Sequence, residues 1–233
     1  METNPYKTPV AQLEPTLATG VSGTYGPFRD NGPLKSILLI LLVLDSMFVL
    51  FTSGVLNYLD MEQYQSDEYW LTDEPSRLDA IIDMANSAHG ILIIVTVVVF
   101  AMWINRSCKN AWLLDPPRMR ITPGWSVGYY FIPILNLWKP YLAMKEIRSA
   151  SYGRDHALRR TLPLWWTFWI ISSMLGQIIF RMYLNSDSDE SYLMACKLSF
   201  VSVPVDVILN YIAMILVTGI TTAQKRRLAQ WHA

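Results

Sequence analysis

The sequence predicts an all-α fold: a polytopic transmembrane helical bundle of four spans, with one re-entrant or interfacial broken segment between the second and third. Three observations predict it. Of 233 residues, 52% are hydrophobic and only 16% charged, whereas soluble domains sit near 25% charged. Four apolar runs, 36–56, 84–105, 162–183 and 198–222, match the roughly 20 helical residues that cross a hydrocarbon core of about 30 Å. With no water at that depth, each must satisfy its own backbone as a helix. Lys and Arg collect in alternate connections, as they do on the cytoplasmic side of membranes. Nineteen basic residues balance nineteen acidic ones, so bulk charge gives no reason to expect nucleic acid as a partner. Two cysteines, Cys108 and Cys196, are too few for a disulfide scaffold or a cysteine-rich metal site.

Residues 1–33 hold Pro5, Pro9, Pro15, Gly20, Gly23, Gly26 and Gly32-Pro33 with few large aliphatic side chains, and are expected to form a disordered tail. The transmembrane domain runs over 34–223. Its first span, 36–56, carries one charge, Asp45; the second, 84–105, carries none but holds His89. Ser76 and Asp79 form an S-x-x-D capping box ahead of the second span. The third, 162–183, has Pro163 in its first turn, where a missing N–H costs little, and stays uncharged as far as Arg181. The fourth, 198–222, contains Asp206. Between the first two spans lie Asp60, Glu62, Asp67, Glu68, Asp73 and Glu74, and between the last two Asp187, Asp189 and Glu190. The connection 106–160 holds ten basic residues, and the tail 224–233 holds Lys225, Arg226 and Arg227. Both termini are therefore expected in the cytoplasm and both acidic loops outside, as solvated acidic surface. No cleavable leader is expected, since the first apolar run starts at residue 36 and is long enough to remain as an anchor.

The broken segment, 122–140, is apolar and aromatic but interrupted by Pro123, Gly124, Pro133 and Pro140. Both its flanks are basic, with Arg118 and Arg120 before it and Lys139, Lys145 and Arg148 after it. A fifth crossing would put one of these clusters outside, and Pro133 would break its helical ladder midway. A segment that dips in and returns to the cytoplasmic face fits better. Trp125, Tyr129, Tyr130, Trp138 and Tyr141 then lie at headgroup depth, where amphipathic rings are favoured. A basic juxtamembrane helix over 141–160 follows. With Lys139 ahead of it, its Lys145, Arg148, Arg159 and Arg160 are placed to reach lipid phosphates.

Phe100, Trp103, Arg106 and Asn110, then Thr122-Pro123-Gly124-Trp125, Val127-Gly128-Tyr129-Tyr130-Phe131, Pro133, Asn136-Leu137 and Pro140-Tyr141, and finally Met144 and Glu146, resemble the signature of the domain of unknown function 4328 family. The resemblance covers about residues 85–222. It implies a bacterial membrane protein, which the reading here places in the inner membrane, and brings no activity, cofactor or catalytic residue with it.

Polar groups inside the spans are the remaining clue, because each costs free energy in hydrocarbon unless it is paired or wetted. Asp45 falls next to the centre of its span and Asn210 at the centre of its own; His89, Gln177 and Asp206 lie roughly 6–8 Å toward the outer side. Ser173, Gln177 and Arg181 share one helix face, as do Asp206 and Asn210. Facing one another, Asp45, His89, Gln177, Asp206 and Asn210 make a candidate polar layer, with Asp206 and His89 as its proton-exchange pair. Such groups also serve simply as interhelical hydrogen-bond glue.

No nucleophile–base pair, phosphate loop or metal-ligand spacing is found, so neither catalytic residues, nor a metal, nor a cofactor is expected. The reading is a non-enzymatic membrane component whose partners are membrane lipids, other membrane proteins or a second copy of itself. They meet it through Pro123, Gly124, Trp125, Pro133, Asn136, Trp138, Pro140 and Tyr141. The alternative is a small transporter or ion- or proton-conducting protein working through the polar layer.

Overall fold

Seven residues spaced three or four apart, Leu34, Leu38, Leu42, Asp45, Val49, Thr52 and Leu56, put one stripe of the first helix against its neighbours, and all but Asp45 are buried. The computed structural model describes residues 22–65, 76–153, 158–184 and 189–231. Helix α1 (Gly32–Val49) runs through a π-helical stretch, Leu50–Leu56, into α2 (Asn57–Tyr64). Then come α3 (Arg77–Leu114), the short α4 (Pro123–Gly128), α5 (Lys139–Tyr152), α6 (Thr161–Leu184) and α7 (Asp189–Trp231). Four helices, Gly32–Tyr64, Arg77–Leu114, Thr161–Leu184 and Glu190–Trp231, are long and apolar enough to cross a membrane. Their outer faces leave Ile40, Ile94 and Phe180 more than 60% exposed, which suits lipid and not water. Of the acidic loops, Asp67, Glu68, Asp73, Glu74 and Asp187 lie outside the described residues, as do Arg154 of the basic helix and residues 1–21 of the tail.

The capping box forms as the spacing predicts: Ser76 Oγ accepts from the Asp79 N–H at 3.2 Å, and the Asp79 carboxylate accepts from the Ser76 N–H at 2.7 Å. Gln63 closes the connection by donating to Ser76 Oγ at 2.9 Å. Two expectations are corrected here. Asp60 does not simply face solvent; it accepts a hydrogen bond from Tyr192, whose ring packs on Tyr64 at 4.6 Å. The last helix does not give way to a basic tail at 224. It continues to Trp231, and Gln224 is 1% exposed, because Asn210, Ala213, Val217, Ile220 and Gln224 form one unbroken inward stripe.

Residues 22–33 also depart from the expected tail. Strands β1 (Ser22–Gly23) and β2 (Gly26–Pro27) pair around a tight turn in which Gly26 takes φ +95°, a conformation that favours glycine. The chain then docks on α3. The Arg29 N–H donates to Asn110 Oδ1 at 3.0 Å and Asn110 Nδ2 returns a bond to the Arg29 carbonyl at 2.8 Å. Asn31 Nδ2 donates to Ser107 Oγ at 2.8 Å, and Tyr25 sets its ring edge against Trp112. Side chains of a neighbouring helix thus satisfy a backbone too poor in aliphatic residues to form a core of its own.

An ion pair between Lys225 and Asp30, 2.8 Å apart, ties this strap to the end of α7. The Lys225 hydrogen bond, and after it the Gly32 N–H, hold the Asp30 carboxyl below the usual carboxylate range. A carboxylate depressed in the folded state contributes its full stability above the unfolded value and loses it as pH falls through the lower folded one. Both side chains are about half exposed, so the effect is small and local. Amide exchange at 29–32, corrected for intrinsic rate, is expected to accelerate as pH falls below the ordinary carboxylate range. Lys225→Ala should remove that step.

Helix α5 presents Ala143, Met144, Ile147 and Ala150 to α3 and α7, all buried. Arginines satisfy the carbonyls left over at its C-terminal end. Arg118 donates to the Ser149 and Gly153 carbonyls and Arg227 to that of Ala150, while Asp115 pairs with both guanidinium groups.

Candidate functional site

Midway along the bundle, the structure brings together three of the five predicted layer residues. Asp45 on α1 lies with Oδ1 3.1 Å from His89 Nε2 on α3, and its Oδ2 accepts from Asn210 Nδ2 on α7 at 2.8 Å. The same Asn210 nitrogen donates to Ser46 Oγ at 3.1 Å, and Phe48 stacks on the His89 ring at 5.7 Å. One carboxylate therefore ties three helices together, since its two oxygens meet different partners.

Asp206 is held separately. It accepts from Ser172 Oγ of α6 at 2.5 Å. The histidine thus pairs with Asp45 and not with Asp206, because α1 approaches α3 on that side. Gln177 is exposed on the outer face of α6 and joins nothing in the layer. Ser172 takes its place, and the missed signal was the stripe Trp165, Trp169, Ser172, which follows the buried end of α6 at spacings of four and three. The stripe through Ser173 and Gln177 lies about 100° round the helix from it. Pro204 does not interrupt α7; the Ser199 and Ser202 hydroxyls donate to the carbonyls of Ala195 and Ser199 in the turns before it.

Beside the layer is a cavity of about 400 Å³, walled by α1, α3, α6, α7 and the residues just after α4. Asp45, Asn210 and Thr96 supply its polar wall; Phe100, Trp165 and Trp169 supply much of the rest. Tyr130 also lines it, and its hydroxyl is buried without a hydrogen-bond partner.

The broken segment starts and finishes at the same end of the bundle. At its start, the Ile121 carbonyl accepts from Trp112 Nε1 at 3.0 Å and the Pro123 carbonyl from Asn105 Nδ2 at 2.9 Å. At its finish, the Leu137 carbonyl accepts from Trp166 Nε1 at 3.2 Å, near the first turn of α6. Between them Tyr130 reaches Trp169, ring centroids 6.2 Å apart. Pro123 and Pro140 are buried; Gly124, Trp125, Pro133 and Trp138 are exposed, and Tyr141 packs on Trp166. Asn136 Oδ1 is buried without a partner. Lys139 lies over the Tyr129 ring at 5.5 Å. Lys145, Arg159 and Arg160 are exposed, and Arg148 is half-buried.

Sequence reasoning missed a second polar core at this end, where Gln224 of α7 meets α3 and α5. Its Nε2 donates to the Ser107 carbonyl at 2.9 Å and to Ser151 Oγ at 3.0 Å, and its Oε1 accepts from Asn110 Nδ2 at 3.2 Å. Trp103 Nε1 donates to Thr221 Oγ1 at 3.0 Å just beyond it.

A family model described as Domain of unknown function (DUF4328) matches residues 72–222. That stretch includes α3, the broken segment, α5, α6 and most of α7. No curated protein and no solved structure matches the chain.

Proposed function

The chain belongs to the DUF4328 family, and on that premise we propose that it is a non-enzymatic, lipid-binding component of a bacterial inner membrane, with both termini in the cytoplasm. The broken segment is re-entrant from that side and holds lipid together with the basic face beside it. The observation that carries this is that Trp125, Phe131, Ile134, Leu137 and Trp138 are all exposed, Phe131 by 75%, and that Lys145, Arg159 and Arg160, which follow them in the chain, are exposed as well. Apolar rings and chains on one side and cations on the other are what an anionic lipid needs, acyl surface below and phosphate pairing above. The shared end of Ile121 and Leu137 supports a segment that returns to the face it left. Partnership with other membrane proteins or a second copy would use the same exposed residues.

The interlocking of Asp45 with His89 and Asn210 supports a structural role for the polar layer more than an ion path, because each carboxylate oxygen already holds a partner on another helix.

Each basic side chain near an anionic surface is worth about 1 kcal/mol. The triple variant Lys145→Ala, Arg159→Ala, Arg160→Ala, losing about 3 kcal/mol in all, is therefore expected to retain phosphatidylglycerol about a hundredfold less in native mass spectrometry of the purified protein, with phosphatidylcholine retention unchanged. Equal retention of phosphatidylglycerol by the variant and the parent would remove the basic face from the proposal.

A further inference from the structure

The cavity beside the polar layer has walls of two kinds, and their hydrogen-bonding capacity is uneven. Asn210 Nδ2 is committed to Asp45 and Ser46, and the Thr96 hydroxyl donates to the Leu92 carbonyl at 2.8 Å. The donors of that wall are thus used internally. Asp45 is different: an ionised carboxylate has about four lone-pair sites, and two are met by His89 and Asn210. What the inner wall still offers is acceptor capacity. At the other side of the cavity, Ile93, Val97 and Phe131 are all at least 45% exposed. They belong to the outward surface of α3 and the broken segment, where the bilayer's acyl chains would lie. A cavity of about 400 Å³ falls in the range of small-molecule sites, which are mostly apolar with a few placed polar groups.

We propose that this cavity binds a single-chain amphiphile drawn sideways from the bilayer, its hydroxyl or ammonium end donating a hydrogen bond to Asp45 and its chain leaving between Ile93, Val97 and Phe131. This rests on the membrane-embedded reading but not on the basic face, which lies elsewhere. Tyr130 lines the same space with a buried, unpartnered hydroxyl, and the ligand's polar end is a group that would satisfy it. Burying an unpaired hydroxyl costs about 1–3 kcal/mol, so a site that otherwise leaves it unpaired favours occupation.

The test uses the full chain in lipid nanodiscs with two photoactivatable probes, a diazirine-bearing hexadecylamine and the matching hexadecanol, and locates cross-links by peptide mass spectrometry. Cross-links are expected to concentrate in peptides covering 93–104 and 127–131. Ala101→Phe and Ala213→Leu, which fill the cavity from α3 and α7 separately, should each lower that yield about tenfold. Labelling of exposed Ile40 and Ile178 should not change. Asp45→Asn should weaken the amine more than the alcohol if the ligand is an amine, and both alike if it is an alcohol. Label spread evenly over the exposed faces, or unaffected by both filling variants and by Asp45→Asn, overturns the proposal. Either result leaves the phosphatidylglycerol experiment to be judged by itself.

Discussion

Gln224→Ala is expected to destabilise the protein by about 2–3 kcal/mol, more than the loss of any side chain of the polar layer. The residue is buried where α3, α5 and α7 converge, and it makes three side-chain hydrogen bonds there. Truncation removes those bonds, leaves one N–H of Asn110 without a partner, and opens a void among Ile220, Ala150 and their neighbours, since packed interiors relax only partly. Gln224→Met keeps most of the volume and removes only the polarity, so its smaller loss measures the hydrogen bonds by themselves. The damage should also travel. Asn110 holds the strap through Arg29, so amide exchange at 29–31 should rise in Gln224→Ala. Unfolding in detergent, followed by circular dichroism, gives the stability change. A variant as stable as the parent would mean that the last turns of α7 bear no weight in the core.

That residue shows where the sequence was readable and where it was not. The four spans were legible because hydrocarbon leaves one backbone solution and demands a minimum length, and the Ser76–Asp79 cap because its spacing has one mechanism. The helix that carries the fourth span runs on past residue 222 to Trp231 for a reason in the same physics. Lys225, Arg226 and Arg227 announce the membrane surface, yet a helix does not stop where its charges begin, and the stripe from Asn210 through Val217 to Gln224 continues at the same spacing. The strap was misread because its attachments are supplied by Ser107, Asn110 and Lys225, far away in sequence. Composition reports whether a segment can build its own core and says nothing of a neighbour that lends it partners. In the layer, depth put Asp45 and Asn210 near one level but grouped His89 with Asp206, and so missed the His89–Asp45 pair. Gln177 failed because depth fixes height and not the face. Trp165 and Trp169 held the information about the face, as the large rings that α6 turns toward its neighbours.

Asp45→Ala should cost about 2 kcal/mol, near the top of the range for polar contacts between membrane helices, because it strands partners on two helices at once. His89 loses its acceptor, and the Asn210 amide keeps only Ser46. Asp45→Asn should cost less, since one amide oxygen still accepts from Asn210 while the charge opposite His89 is gone. A double-mutant cycle between Asp45→Ala and Asn210→Ala isolates the direct contact, expected at about 1 kcal/mol of coupling. Asp206→Asn should be nearly silent in stability, because its amide oxygen still accepts from Ser172. The two aspartates therefore separate by measurement. If the layer is glue, Asp45 dominates thermal unfolding and proton flux in vesicles is the same for Asp206→Asn as for the parent. If it conducts, the order reverses: flux falls with Asp206→Asn, a variant whose fold is intact, and the matched carboxylate of Asp45 no longer explains why charge is kept inside the bundle.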